Sequence, residues 1–133
     1  MIDHLRIPSG YWYLASPYSK YYAGLHAAFE DICQIAGKLI ALGVPVYSPI
    51  AHTHPVAIHS GMDPLDHEIW LPADKPMFEA AHGLIVAQMD GWADSYGIKV
   101  EIDWAREAGK PVHFLLPSDL SEEFDARLSH ESA

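Results

Sequence analysis

Two short stretches of this chain concentrate the residues that could do chemistry. Tyr13, Ser16, Tyr18 and Ser19 form one; Asp90, Asp94, Ser95, Gly97 and Glu101 form the other. Hydroxyls on one side would thus meet carboxylates on the other. Gly91 and Gly97 would let backbone approach a ligand closely, and the N–H groups that open the helix after Ser95 favour an anion.

Each of these residues carries two readings. Glu101 lies about one turn into a helix, where the positive end of the dipole would help keep it ionised, as a nucleophile requires. A solvent-facing glutamate fits the same spacing. Asp74 reads either as a helix cap or as a member of the site. Tyr13 and Tyr18 either pack at a strand end or present their hydroxyls to a ligand. Trp70, Trp92 and Trp104 read as packing of the core or of an oligomer interface, with Trp92 able to stack on a base. His52, His54 and His59 cluster in one segment, with His67 and Glu68 beyond it. Their spacing matches no firm metal signature, and His52 and His54 point to opposite sides of an extended chain. No metal site and no cofactor are expected.

The elements that must position these groups follow from apolar periodicity. Tyr11 to Ala15 is a buried strand ending at Ser16-Pro17, and a helix follows over about 22–42, with Leu25, Phe29, Ile32, Ala36, Leu39 and Ile40 on one stripe and Gly43 as its stop. Val44 to Tyr47 is a second strand, at an edge because Pro45 cannot donate to a ladder. The prolines and missing period of Ser48 to Pro64 predict a long loop. Asp63-Pro64 should open a short helix that Pro72 ends, and Asp74 should cap another through Ala81. Gly83 to Ala87 is a strand buried on both faces. A helix carrying Val100, Trp104, Ala105 and Ala108 then stops at Gly109, before a strand over Val112 to Leu116 and a polar helix from Ser118. Strands alternating with helices predict a single α/β domain over 1–133, a doubly wound, Rossmann- or flavodoxin-like parallel sheet of four to five strands with helices on both faces. Ligands bind such sheets beyond the carboxyl ends of the strands, here at the loops after the first and third.

The chain has 133 residues, half of them apolar and a fifth charged, enough for one ordinary core. Eight basic residues against eighteen acidic ones give a formal charge of −10, so its field repels nucleic-acid polymers but leaves mononucleotides open. Cys33 is the only cysteine, which rules out an internal disulfide and suits a reducing compartment. The start Met1 to Arg6 lacks a basic, then apolar, leader, and no run of about 18 apolar residues occurs. A cytoplasmic protein without membrane attachment is the expectation.

Tyr13-Leu14-Ala15-Ser16-Pro17 resembles the tyrosine-led N-terminal motif of the nucleoside 2-deoxyribosyltransferase superfamily. Ser95-Tyr96-Gly97-Ile98-Lys99-Val100-Glu101, with Ala105 and Ala108-Gly109-Lys110-Pro111-Val112, resembles its nucleophile loop and helix, and Asp74 stands where its upstream aspartate would. The resemblance implies that Glu101 attacks the anomeric carbon, that Tyr13 orients its carboxylate, and that Asp74 contacts sugar hydroxyls or assists proton transfer. Ser95 replaces an aspartate common in the transferases and resembles the branch that hydrolyses deoxynucleoside 5'-monophosphates, in which Ser95 and Gly97 would hold the phosphate. The phosphate-binding arginine of that branch has no counterpart here; only Ser19 and Lys20 lie nearby. The placing of the two loops beyond the strand ends adds Ser16, Tyr18, Ser19, Asp90 and Trp92 as candidate substrate contacts. The resemblance also implies a homo-oligomer, a dimer or tetramer, and a small-molecule nucleoside or nucleotide as partner. Two other readings stand beside it: a nucleotide-binding sensor without turnover, and, more weakly, a metal-dependent phosphoesterase built on the histidines.

Overall fold

The computed structural model describes residues 2–132; Met1, where the N-terminal stretch begins, lies outside them. Four parallel strands form one sheet in the order β2-β1-β3-β4: β1 (Trp12–Ala15), β2 (Val46–Tyr47), β3 (Gly83–Ala87) and β4 (Val112–Leu115). β1 and β3 are the central pair, in register from Trp12 with Gly83 to Ala15 with Val86. Side-chain alternation along them builds two cores. Trp12, Leu14, Ile85 and Ala87 join Ile32, Ile35 and Leu39 of α1 (Leu25–Ala41) and Leu120 of α5 (Pro117–Ser132). Tyr13, Ala15, Leu84 and Val86 join Phe78 of α3 (His67–Glu79) with Ile98 and Ala105 of α4 (Tyr96–Glu107). The doubly wound sheet with helices on both faces is therefore the fold observed, with four strands. β2 is an edge strand, as Pro45 before it requires.

The strand order reverses between β1 and β3, so the chain leaves these neighbours toward opposite edges and a crevice opens beyond their carboxyl ends. α1 is amphipathic, burying Ala28, Ile32, Ile35 and Leu39, and Gly43 ends it in the left-handed conformation at φ 84°. Among the described residues, no helix is long and apolar enough to cross a membrane.

Two elements differ from the sequence expectation. The stretch read as a long loop is α2 (Pro49–Ser60). The Ser48 hydroxyl accepts from the Ala51 N–H at 3.2 Å, and Pro49 takes the first helical position, where no donor is needed. Pro55 inside this helix, and a buried set of only Pro49, His54 and Ala57, left it without a readable period. α3 is one helix where two were expected. Asp66 caps it, its carboxylate accepting from the Glu68 N–H at 3.1 Å, in place of Asp63. Pro72 does not end it, because Pro72 and Pro76 both lie on its exposed side, where water can take up the carbonyls left without a donor. Asp74 is therefore not a cap. It and Phe78 are the buried residues of α3, one turn apart on the same side.

Lys110 fixes the far end of α3. Its Nζ donates to the carbonyls of Phe78, Glu79 and Ala81 at 3.1, 2.6 and 2.6 Å, where a cation also complements the helix dipole. Lys110→Met is expected to cost about 2 kcal/mol, read as a lower denaturant midpoint with unchanged slope. No change in midpoint would mean that the helix carrying Asp74 is held by its apolar packing alone.

Candidate active site

The crevice beyond β1 and β3 is lined from four directions. Ser16, Tyr18 and Ser19 come from the loop after β1, and Pro49, Ile50 and Thr53 from the start of α2. His67, Trp70, Leu71 and Asp74 come from α3 with Pro64 and Leu65 before it, and Ser95, Gly97 and Glu101 from the start of α4. Seven residues read from the sequence as site or substrate-contact candidates thus share one cavity: Ser16, Tyr18, Ser19, Asp74, Ser95, Gly97 and Glu101.

Glu101 and Asp74 are both buried, at 6% and 7% exposure. Taking a carboxylate out of water disfavours its charged form. Burial pushes the Glu101 carboxyl up to about 8, opposed by the Tyr13 hydroxyl and reinforced by the charge of Asp74. Burial alone pushes Asp74 up to about 7. This corrects the expectation that the helix dipole keeps Glu101 ionised. Glu101 is the sixth residue of α4, past the first turn in which the dipole acts, so desolvation decides.

Tyr13 is fully buried, edge-on to Phe78 with ring centres 5.6 Å apart. Burial, then the charges of Glu101 and Asp74, hold its phenol proton far above the usual range. It does not line the cavity itself and reaches it through Glu101. The two groups shift each other's protonation, yet the Tyr13 hydroxyl makes no hydrogen bond of good geometry. Ser16 Oγ is also buried without a partner and lies in the cavity wall. Unpaired buried hydroxyls are costly, and these two are satisfied most directly by an ionised Glu101 and by a ligand.

Ser95 is committed locally, its hydroxyl capping α4 by accepting from the Ile98 N–H at 3.3 Å. Its following residue but one, Gly97, leaves open space: a Cβ there would meet nothing nearer than the Ser95 hydroxyl at 3.9 Å. Gly91 serves the scaffold, with φ 84° and the Lys20 carbonyl 2.3 Å from where a Cβ would stand, so it brings the loops after β1 and β3 together without touching the cavity.

Asp90 and Trp92 do not join this site. Asp90 is exposed and borders a separate depression with Tyr21, Asp31 and Lys38. Trp92 packs on Phe114, with ring centres 5.6 Å apart. The indole in the cavity wall is Trp70, oriented by a 2.7 Å bond from its Nε1 to the Asp63 carbonyl. Trp70, His67, Ile50 and Thr53 were missed as site residues because they sit on α2 and α3. The Ser48-Pro49 pair was the available signal, being the same cap-and-proline pattern read at Asp63-Pro64. Trp104 packs on Phe78, as expected of a core residue.

The histidines separate. His54 is buried against Phe29, with its Nδ1 2.5 Å from the Tyr18 hydroxyl. His52 lies near Tyr47, and His67 near Tyr96. Among the described residues, no three His, Cys, Asp or Glu side chains converge on a point that could hold a metal ion.

A family model described as Domain of unknown function (DUF1937) matches residues 10–116, from just before β1 to just after β4, and so includes every cavity residue named above. No curated protein sequence matches the chain.

Proposed function

The chain belongs to this family of unknown function, and from the geometry of its cavity we propose that it cleaves or transfers the N-glycosidic bond of a nucleoside or nucleoside 5'-monophosphate, with Glu101 as nucleophile. The observation that carries this reading is the pairing of Glu101 and Asp74, both buried and both lining one cavity, with Tyr13 close enough to Glu101 for each to shift the other's protonation. The resemblance of the Tyr13–Pro17 and Ser95–Glu101 stretches to the nucleoside 2-deoxyribosyltransferase superfamily names the bond.

In this reading Glu101 adds through a carboxylate oxygen to C1' as the C1'–N bond breaks, and the electron pair leaves with the base. The developing oxocarbenium charge is positive, so a desolvated carboxylate beside it gains more than it would in water. Asp74, while protonated, supplies the proton the departing base needs. Water or a second base then attacks C1', its proton passes to Asp74, and Glu101 is released as carboxylate. Tyr13 donates to Glu101 whenever it is ionised. Trp70 offers a face to the base, and Ser16 a hydroxyl to the sugar or its 5'-substituent. No cofactor takes part.

The active form holds one proton, on Asp74; with Glu101 raised to about 8 and Asp74 to about 7 this is the less populated of the two one-proton arrangements, and it is the one that reacts. The two carboxyls interact, so the two steps at about 7 and about 8 belong to the pair. Below the lower step both carboxyls are protonated and no nucleophile exists; above the upper step neither can protonate the base. A bell-shaped kcat/KM profile with its maximum between pH 7 and 8 is expected from base-release assays. Asp74→Asn should lose the alkaline limb and leave the acid limb near its place, because Asp74 is already neutral where Glu101 first ionises. A profile flat from pH 5 to 9 would remove the pair from the mechanism.

The test of the whole reading is base release from a panel of nucleosides and their 5'-monophosphates, with and without an acceptor base. Binding without turnover across that panel would make the protein a nucleotide-binding module. We further place it in the cytoplasm as a homo-oligomer, dimer or tetramer; the exposed Val56, Ile58, Met62, Leu65 and Ile69, on α2, on α3 and in the segment joining them, support an interface there.

A further inference from the structure

A chain of hydrogen-bonding side chains leads out of the cavity. Tyr18 lines the wall, and its hydroxyl lies 2.5 Å from Nδ1 of His54. Nε2 of His54 lies 3.4 Å from Nδ1 of His26. The His26 ring is 72% exposed, and its Nε2 lies 3.6 Å from a Glu30 carboxylate oxygen. His54 between them is buried, stacked on Phe29 and met edge-on by Tyr18, which holds its imidazole in line.

Two proton assignments satisfy this chain. In one, every donor points outward: Tyr18 O–H to His54 Nδ1, His54 Nε2–H to His26 Nδ1, and His26 Nε2–H out to solvent beside the Glu30 carboxylate. In the other, every donor points inward, from His26 Nδ1–H to His54 Nε2 and from His54 Nδ1–H to the Tyr18 oxygen. The two differ by the passage of one proton. We propose that Tyr18, His54 and His26 form a proton path between the cavity and solvent. A proton given to the Tyr18 oxygen sends the phenol proton to His54 Nδ1, the His54 Nε2 proton to His26 Nδ1, and the His26 Nε2 proton to Glu30 or water. A returning proton reverses each shift and resets the chain. Burial disfavours both a tyrosinate at Tyr18 and an imidazolium at His54, so the protons move in concert and no ion persists. Tyr18 and His26 are the titratable groups that face His54, with Glu30 beyond His26.

The use of the path rests on the glycosidic reading. Glu101 and Asp74 must come down to one proton between them before C1' is attacked, and a ligand seated in the crevice closes the direct route to solvent. The surplus proton then leaves through Tyr18 on binding and returns on product release. His54 and His26 act through Tyr18 and are positioning residues for its proton.

Two independent readouts on the full chain test this. Nitrogen-resolved ring spectra of His54 are compared between wild type and Tyr18→Phe: the path requires the His54 tautomer ratio to change when the phenol is removed, and unmoved ring nitrogens overturn it. In base release, His54→Ala is expected to lose roughly 10²-fold in kcat with KM near wild type, and added imidazole to restore activity. His26→Ala, at an exposed position where folding is not at stake, should show the same loss and the same rescue. Imidazole without effect on both variants means a purely structural role and overturns the path. If the wild type releases no base from any substrate, the glycosidic reading fails by itself, and the ring spectra alone decide the path.

Discussion

Glu101→Gln is expected to reduce base release by on the order of 10⁴-fold or more, with the substrate dissociation constant within a few-fold of wild type. The amide fills the space of the carboxyl and is neutral, as Glu101 itself is below its raised pKa of about 8, so the fold has no reason to reject it. Its oxygen can still accept from Tyr13. It cannot form a glycosyl ester that water resolves, and it offers no negative charge to the oxocarbenium-like transition state. Tyr13→Phe separates positioning from nucleophilicity. Because the Tyr13 hydroxyl lowers the Glu101 pKa, its removal should move the acid limb of kcat/KM to higher pH and lower the maximum by roughly 10-fold to 10²-fold. The hydroxyl is unpartnered in the free protein, so stability should hold or rise. Turnover by Glu101→Gln at even a tenth of the wild-type rate would sink the nucleophile assignment.

How much of this was legible in the sequence depended on how strongly each segment repeats. The Gly83–Ala87 run is unbroken because both faces of the strand are buried, and the Leu25–Ala41 stripe because one side of the helix packs a continuous surface, and the fold followed from their alternation. α2 buries little and is interrupted by Pro55, so it reads as loop although Ser48 and Pro49 open it in the ordinary way. α3 shows the opposite confusion. A proline stops a helix when its face is packed, and sequence does not tell that Pro72 and Pro76 point outward.

The site divides along the same line. Ser16, Tyr18 and Ser19 follow β1, and Ser95, Gly97 and Glu101 open α4, so topology alone brings them together. Asp90 and Trp92 belong to the same loop by sequence, but the left-handed turn at Gly91 and the short 3-10 turn Trp92–Asp94 carry them away from the cavity. Such a reversal depends on one φ angle and on the Lys20 carbonyl packed against it. The Tyr18–His54–His26 chain was invisible for a different reason: read in an extended segment, His54 has no fixed direction, and only the helical α2 turns it inward to α1.

The second large effect is an inverted dependence of stability on pH. Glu101 and Asp74 ordinarily titrate near 4.5 and 3.8, and in the folded chain they titrate at about 8 and about 7. Between these values the folded state holds protons that the unfolded state has given up, so folding weakens as pH rises. The contribution of the neutral carboxyls is complete below about pH 4 and is lost as pH climbs through 7 to 8. Wild type is therefore expected to be less stable at pH 9 than at pH 5, by on the order of 3 to 5 kcal/mol from Glu101 if its full shift is expressed. Glu101→Gln removes the Glu101 share of that slope, leaving the smaller share of Asp74, and should melt roughly 10 °C above wild type at pH 9, while the two proteins converge near pH 5. Thermal unfolding across this range decides the matter, and parallel curves for the two proteins would mean that Glu101 is already ionised and solvated in the folded state. The proposed function draws on the same effect. A buried carboxylate that destabilises the free protein is relieved when positive charge develops beside it, so the instability measured at high pH and the transition-state stabilisation lost in Glu101→Gln have one physical source, the exclusion of water from the crevice between β1 and β3.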